Sequence, residues 1–424
     1  MALQRHVFQP FKKPNSITHI FVGIDFGTSF TKVSYSVAPS TGIAKIHTLK
    51  WDNPEYEDGY VIPTVLYLQD AKLYFEKPED KYETIKYFKY SMLAESLINN
   101  HQNTNNPFEE MCCVYYLAQL ITKSLDKIKK EMKLNSFDGI QIFINMGAPL
   151  ENFYKEKNKQ HKELYLEILE NAIVLAGGSK VHAELPENYV TIASLDLAYT
   201  EIRNKKAVLN WKAEVVPELA AELFLYQLSK NIPEGLYAII DVGGGTVDMA
   251  VFEKYKYRND APEGMYCLSE DIKPYGVEIL DRIKSEEIEY DFKTSFNALM
   301  EEAKKKTYLS NISKVDVFFL GGGATNPWYR NAIVNATGWL RQSFLAKFNF
   351  KLSIEDFIEN EFNEVLEENR QRLLISQMIA RNSNDFPQVK GYPTTEREAK
   401  IENTTYVSND DPYDLYDKGS YYWD

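Results

Sequence analysis

The sequence predicts a mixed α/β fold that repeats once along the chain and leaves a cleft between its two halves. Three observations carry that expectation. A strand ending in an aspartate and a glycine-containing turn occurs at FVGIDFGTSFTK (21–32) and again at YAIIDVGGGTVDMAVF (237–252). Around each hairpin, strands alternate with long helical patterns, as expected where helices cover a mixed sheet. The chain has 424 residues, of which 44% are hydrophobic and 26% charged. That suffices for two or three packed domains and excludes a mostly disordered, collagenous or coiled-coil chain.

Residues 1–17 are expected as an N-terminal extension. From about Ile17 to Phe75 the runs HIFVGIDF, KVSYSV, KIHTLKW, VIPTVLYL and AKLYFE alternate apolar with polar residues between Gly, Pro, Asn and Asp breaks. This is the period-two signature of a strand meander. From Pro107 to Leu134 the apolar residues Val114, Ala118, Ile121, Leu125, Ile128 and Met132 recur every three or four positions, which predicts a long amphipathic helix. GIQIFINMGAP (139–149) reads as an apolar strand and Glu151–Ala176 as a second helix.

The block then repeats in outline. WKAEVV leads into a helix at ELAAELFLYQLSK, LYAIIDV and VDMAVFE read as strands, a helix follows near Phe292–Tyr308, and VDVFFLGGG is the next strand. Lobe I is therefore placed at 18–215 and lobe II at 216–385. From about Pro387 the chain has three prolines, few aliphatics and the ending SNDDPYDLYDKGSYYWD. Residues 386–424 read as a flexible acidic tail, either simply solvated or presenting Tyr413, Tyr416, Tyr421, Tyr422 and Trp423 to a partner.

Lysine and arginine total 48 against 61 aspartates and glutamates, a net charge of −13. Such a field repels polyanions, so nucleic acid is not expected as a partner. A phosphorylated small molecule remains compatible, because backbone N–H groups and a bound metal supply local positive potential. Cys112, Cys113 and Cys267 have no CxxC spacing, which fits a reduced cytosolic setting. The adjacent pair Cys112 and Cys113 lies in a helical apolar pattern and reads as buried structural thiols rather than a redox switch. The N-terminus lacks an apolar run suited to a signal peptide, and no apolar stretch is long enough to span a membrane. A cytoplasmic protein with no membrane partner is expected.

Chemistry concentrates in three segments. At the first hairpin a strand delivers Asp25, and Gly27, Thr28 and Ser29 make a tight turn whose N–H and hydroxyl groups can face phosphate oxygens. Lys32 points back and adds a positive charge; the bland alternative is an ordinary turn. At the second, Asp241 is followed by Gly243, Gly244, Gly245 and Thr246. Three consecutive glycines carry an entropic cost that a plain two-residue hairpin avoids, so something must pass very close. The pair of hairpins can grip a triphosphate from opposite sides, with Asp25 and Asp241 holding a magnesium ion through its waters. The third segment, VDVFFLGGGATNP (315–327), places Gly321, Gly322 and Gly323 after a strand, where adenosine can lie flat or a helix can simply begin.

These motifs in this order resemble the actin-like ATPase superfamily, most closely the ATPase domain of the seventy-kilodalton heat-shock chaperones. DVGGGTVD looks like their second phosphate loop, VIPTVLYL like their early proline-containing strand, and ALMEEAKKKTYLSNISKVDVFFLGGGATNP like the approach to their adenosine motif. The likeness covers roughly residues 18–380. It implies a duplicated ribonuclease H-like fold with two lobes around a nucleotide cleft. It also implies that Asp25 and Asp241 organise magnesium, while Thr28, Ser29, Gly243–Gly245 and Thr246 cradle phosphates. In VVPELAAELFLY, Glu218 resembles the glutamate that positions the attacking water, although Leu219 replaces the usual proline and Glu222 interrupts the alanine run. Lys89, in IKYFKYSML, resembles the chaperone lysine that reaches the γ-phosphate, and Lys32 resembles the first-loop lysine of actin and its bacterial relatives.

The chain departs from the chaperones between Glu302 and Gly321, where their adenine-clamping subdomain has no room. RQRLLISQMIAR replaces their last alanine-rich helix, and no β-rich peptide-binding domain follows. The resemblance therefore implies a slow ATPase that binds ATP, ADP and magnesium and acts as a conformational switch on a separate protein partner. Two other branches stay open: a filament-forming actin-like ATPase that self-assembles, and a small-molecule kinase for which Asp196 is the available catalytic aspartate.

Overall fold

Over residues 17–39, 45–51, 59–90, 107–149, 156–179, 188–205, 208–222, 233–255, 264–280, 285–307, 314–324, 326–336, 345–349, 367–382 and 390–391, a computed structural model describes an α/β chain. In β1 (Ile17–Phe26), Ile20, Val22, Ile24 and Phe26 are fully buried. Gly27–Ser29 turn the chain into β2 (Phe30–Pro39), and β3 (Lys45–Thr48) and β4 (Ile62–Pro63) both pair with β2. The expected meander divides at this point. β5 (Val65–Gln69), β6 (Lys72–Tyr74) and β7 (Glu83–Lys86) leave the first sheet and form a separate, small one. Local alternation gives a strand's period but not the sheet it joins.

Helix α1 (Pro107–Glu131) starts on a proline, carries Glu109 and Glu110 in its first turn and Lys129 and Lys130 in its last. This arrangement suits both the missing proline N–H and the helix dipole. It ends three residues earlier than the apolar period suggests. Lys133 has φ 53°, and Leu134 N donates to Lys129 O at 2.9 Å, a left-handed cap that closes the helix. Cys112, Cys113 and Cys267 are free and buried. Burial, with Glu109 nearby, pushes the Cys112 thiol up to about 12, which suppresses thiolate chemistry.

β8 (Gln141–Ala148) runs parallel to β1, and α2 (Glu156–Leu175) follows within the expected helix, whose residues 151–155 lie outside the described set. β9 (Tyr189–Thr191) completes the small sheet, whose order is β7-β5-β6-β9. Thr191 Oγ1 accepts the Ser194 N–H at 3.1 Å and caps α3 (Ile192–Lys205). β10 (Lys212–Pro217) runs parallel to β8 and continues as a helical turn over 218–222.

The second half opens with the hairpin β11 (Gly235–Val242) and β12 (Val247–Tyr255), to which β13 (Gly264–Lys273) adds antiparallel. The polar run Ser269–Asp271 interrupts the apolar alternation of β13, so its sequence does not predict a strand. After a short α4 (Val277–Leu280), α5 (Ser285–Lys306) leads to β14 (Lys314–Leu320), parallel to β11. Helix α6 (Pro327–Ala336) is capped by Asn326, whose Oδ1 accepts the Trp328 N–H at 2.9 Å. β15 (Leu345–Asn349) lies parallel to β14. Helix α7 (Glu367–Ile379) follows, and β16 (Lys390–Gly391) pairs with β13. Those two residues fall in the expected flexible tail, whose other residues, Tyr413, Tyr416, Tyr421, Tyr422 and Trp423 included, lie outside the described set; the edge of β13 supplies the backbone groups that pair with them.

The first sheet has the order β10-β8-β1-β2-β3 and the second β15-β14-β11-β12-β13-β16. In both, a strand whose next-to-last residue is an aspartate is flanked by an antiparallel hairpin partner on one side and two parallel strands on the other. Each sheet has its own apolar core. A third cluster joins Val216, Leu219 and Ala221 to Tyr237, Ile239, Phe252 and Phe318 of the second sheet and to Leu374, Ile375, Met378 and Ile379 of α7.

Although α7 falls within residues 216–385, it packs on the first sheet, against β1, β2, β3 and β8. Gly23 explains why. A Cβ there would overlap Ser376 O and come within 2.5 Å of Ala380 N, so only glycine lets the helix lie this close.

Candidate functional site

The first loop is built by hairpin register and by a brace. Asp25 pairs directly across from Lys32, and Lys32 Nζ donates to Asp25 Oδ2 at 2.8 Å. Thr64, from VIPTVLYL, donates its hydroxyl to Gly27 O at 2.8 Å and its N–H to Ser29 O at 2.9 Å. The proline-containing strand thus fixes the shape of the turn at Gly27–Ser29.

The second loop is pressed from two sides. Gly276 N donates to Gly245 O, Val277 N to Gly243 O and Glu278 N to Gly244 O, all at 2.9–3.0 Å. A Cβ on Gly276 would overlap the Gly244 carbonyl carbon, a Cβ on Gly244 would overlap Ser29 Oγ, and one on Gly245 would sit 2.7 Å from Thr28 Oγ1. What passes close to the three glycines is protein: the first loop and the turn before α4. The third loop adds to this. Gly321 has φ 77°, and a Cβ there would overlap Asp241 Oδ1, whereas Gly322 faces open space.

A cavity of about 220 Å³ lies where the loops meet. Its walls include Asp25, Gly27, Thr28, Ser29 and Lys32 of the first hairpin; Asp241, Gly243, Gly244, Gly245 and Thr246 of the second; Gly321, Gly322 and Gly323 of the third; and Lys89 and Glu218. Every residue singled out from the sequence motifs therefore borders one space. Asp196 does not. It is exposed on α3 and is not among the lining residues.

The lining also includes Phe30, Asp248, Val277, Glu278, Arg372 and Ile375, which the motifs did not single out. For Asp248 a signal existed: it is the last letter of DVGGGTVD, and the hairpin register sets it opposite Asp241. Beside the cavity, Glu222 is four residues after Glu218, on the same helical face, and is 1% exposed.

Charge is concentrated here. Carboxylate oxygens of Glu218, Asp241 and Asp248 all lie within 4.8 Å of one another, and all three residues are buried. Burial, reinforced by Glu218 and Asp25, pushes Asp241 up from 3.8 to about 7. Burial also raises Asp248, with Glu218 and Asp241 adding to it, and Glu222, with Asp241 adding most. Glu218 is raised by burial and held back by Lys89. Lys89, 3% exposed, donates to Phe26 O and lies 3.5 Å from Glu218 Oε1.

Asp241 Oδ1, Asp248 Oδ1 and Glu222 Oε2 are buried and have no hydrogen-bond partner. Orphaned carboxylate oxygens this deep are costly unless a proton or a cation answers them. The donor set is all oxygen and suits a hard divalent cation. It differs from the expected pair, since Asp25 is engaged by Lys32 whereas Asp241 clusters with Glu218 and Asp248. No protein-family model matches the chain, and no curated protein matches it.

Proposed function

We propose that the chain is a magnesium-dependent, ATP-hydrolysing conformational switch on a duplicated ribonuclease H-like, actin-like ATPase fold, acting on a separate protein partner. The observation that carries this reading is the convergence of the two Asp–Gly hairpins, distant in sequence, on one cavity that also receives Lys89 and Glu218. The shared strand order of the two large sheets supports the duplicated fold.

Gly27 N and Gly243 N close their own turns on Asp25 O and Thr246 O, so the N–H groups of Thr28, Ser29, Gly244 and Gly245 are the donors for phosphate oxygens. Asp241 and Asp248, beside Glu218, would hold magnesium, which when bound neutralises phosphate charge. Lys32 and Lys89 bring positive charge to the same walls. Glu218, with its carboxyl raised by burial, is the base that orients the attacking water. Lys89, reaching both Phe26 O and Glu218, fixes that carboxyl against the end of β1. Since both large sheets contribute walls, occupancy of the cavity biases how they close on one another, which is the basis of a switch. Asp196, the aspartate available to a kinase reading, is exposed on α3 and is not among the residues lining this cavity.

The test is calorimetric titration of the chain with ATP, with and without magnesium, paired with phosphate release and sedimentation. Magnesium-dependent binding, slow release and no pelleting are expected. Absence of nucleotide binding at millimolar ATP refutes the proposal, and ATP-dependent pelleting replaces the switch by a filament former.

A further inference from the structure

We infer that Tyr90 is a positioning residue of this site: its ring lies on Gly245 of the second loop, and the contact ties the placement of Lys89 to closure of the two halves. The inference rests on the function proposed above. Tyr90 is not among the residues lining the cavity, so it acts through the two that it adjoins. One is Lys89, its neighbour in the chain. The other is Gly245, on which a Cβ would come within 2.8 Å of Tyr90 Cδ2. Glycine leaves room for the ring there, and the ring gains dispersion contacts with the loop backbone.

The route of the chain explains how one short segment reaches both halves. β7 is an edge of the small sheet, and Tyr87, directly after it, has φ 62°. A bulky residue in left-handed backbone is unfavourable and persists where its surroundings hold it. Residues 88–90 then take one helical turn, in which successive side chains point about 100° apart. Phe88, 1% exposed, enters the first core beside the rings of Phe26 and Tyr116, at 6.5 and 5.7 Å. Lys89 turns to Phe26 O and Glu218. Tyr90 turns to the second half.

The second half meets Tyr90 with a braced surface. Thr28 Oγ1 crowds the same Gly245 position at 2.7 Å, so this glycine sits between the first loop and Tyr90. Gly245 O accepts the Gly276 N–H at 3.0 Å. Tyr275, the residue before Gly276, is also within reach: burial, then Asp291 and Asp271, pushes its hydroxyl up to about 12, and Tyr90 adds to the rise. Separation of the halves draws Gly245 away from Tyr90 and leaves the 88–90 turn anchored on the first half alone. Closure restores the third anchor, which fixes Lys89 beside Glu218 while Gly245 is held over the phosphates. One contact therefore serves both retention of the nucleotide and its turnover.

The experiment measures, with magnesium, the single-turnover rate of ATP hydrolysis and the dissociation rate of fluorescently labelled ADP. It compares the wild-type chain with Tyr90→Ala and Tyr90→Phe. In Tyr90→Ala hydrolysis is expected to slow about tenfold and ADP to leave about tenfold faster. Tyr90→Phe, which keeps the ring on Gly245, is expected to recover most of both. Each rate is read on folded, nucleotide-bound protein, so a merely structural role would lower the bound fraction and leave both rates unmoved, which overturns the inference. A change in only one rate, or a phenylalanine variant as impaired as the alanine one, overturns it too. Tyr90→Leu, which keeps apolar bulk without the ring, carries the same comparison if the alanine variant does not fold. Wild-type protein that does not bind or hydrolyse ATP removes the proposed function and this inference with it. Wild-type turnover with both rates unmoved in the variant removes this inference alone.

Discussion

Ser29 and Gly244 touch across the cavity mouth: there is no room for a Cβ on Gly244 because Ser29 Oγ occupies that space. One residue comes from the turn after β1 and the other from the turn after β11, so this contact joins the two hairpins directly. It also separates two demands on the glycine run, closeness to a ligand and closeness to protein.

Gly244→Ala is expected to destabilise the fold by about 1–3 kcal/mol through overpacking, and adding Ser29→Gly should recover most of that loss. The coupling in such a double-mutant cycle is the signature of direct contact. Gly276→Ala should be the more damaging change, because its Cβ would meet the Gly244 backbone and Gly245 N rather than a side-chain tip. Thermal melting of the four variants checks the order; additive effects for the first pair would contradict the contact.

Gly23→Ala is expected to lift α7 from the first sheet. The clash is with backbone atoms of Ser376 and Ala380, which cannot turn aside as a rotamer can. A loss of at least about 2 kcal/mol in urea unfolding is expected. Hydrogen exchange should show the largest loss of protection in α7 and at Asn145, whose side chain holds the helix end. Protection lost uniformly over both sheets would not fit.

How much of this was legible beforehand follows from the range of each cause. The hairpins were readable because Asp25, Gly27 and Lys32, or Asp241 and Gly243–Gly245, act within one turn, and the strand patterns around them are strongly apolar. The departure of β5 and β6 to a small sheet, the docking of α7 on the first sheet and the pairing of β16 with β13 depend on contacts between distant segments. Composition and period carry no trace of those. The site shows the same division. Asp248 could have been found from register alone, because β11 and β12 are one hairpin. Arg372 could not, since nothing near it in sequence indicates that Gly23 draws its helix under the first loop.

Stability without magnesium should depend on pH in a defined direction. The Asp241 carboxyl is raised from 3.8 to about 7, so between those values the folded state binds more protons than the unfolded one. The stabilisation is complete at the acid end of that window and is lost as pH rises through about 7. Glu222 and Asp248 are raised as well and act in the same direction. In a chelator-containing buffer the urea midpoint should therefore drop from pH 5 to pH 8, and Asp241→Asn should flatten that slope. A midpoint that rises over this interval would contradict the buried, cation-free cluster.

The same cluster lets binding be separated from folding. Asp241→Asn and Asp248→Asn each remove a buried carboxylate next to Glu218, which relieves repulsion and a desolvation cost in the empty protein. Both variants should be as stable as wild type or more stable near pH 8, yet lose magnesium-dependent ATP binding. A misfolded variant cannot produce that combination, and a purely structural carboxylate would not cost the binding. Asp25→Asn should cost less binding, because Asp25 already serves Lys32 at 2.8 Å. Glu218→Gln keeps the shape of the site while removing the base, so it should leave ATP affinity within a few-fold and slow phosphate release about 100-fold or more. Equal losses of affinity in all four variants would mean that the carboxylates act together only to hold the fold, and the division of labour among them would have to be abandoned.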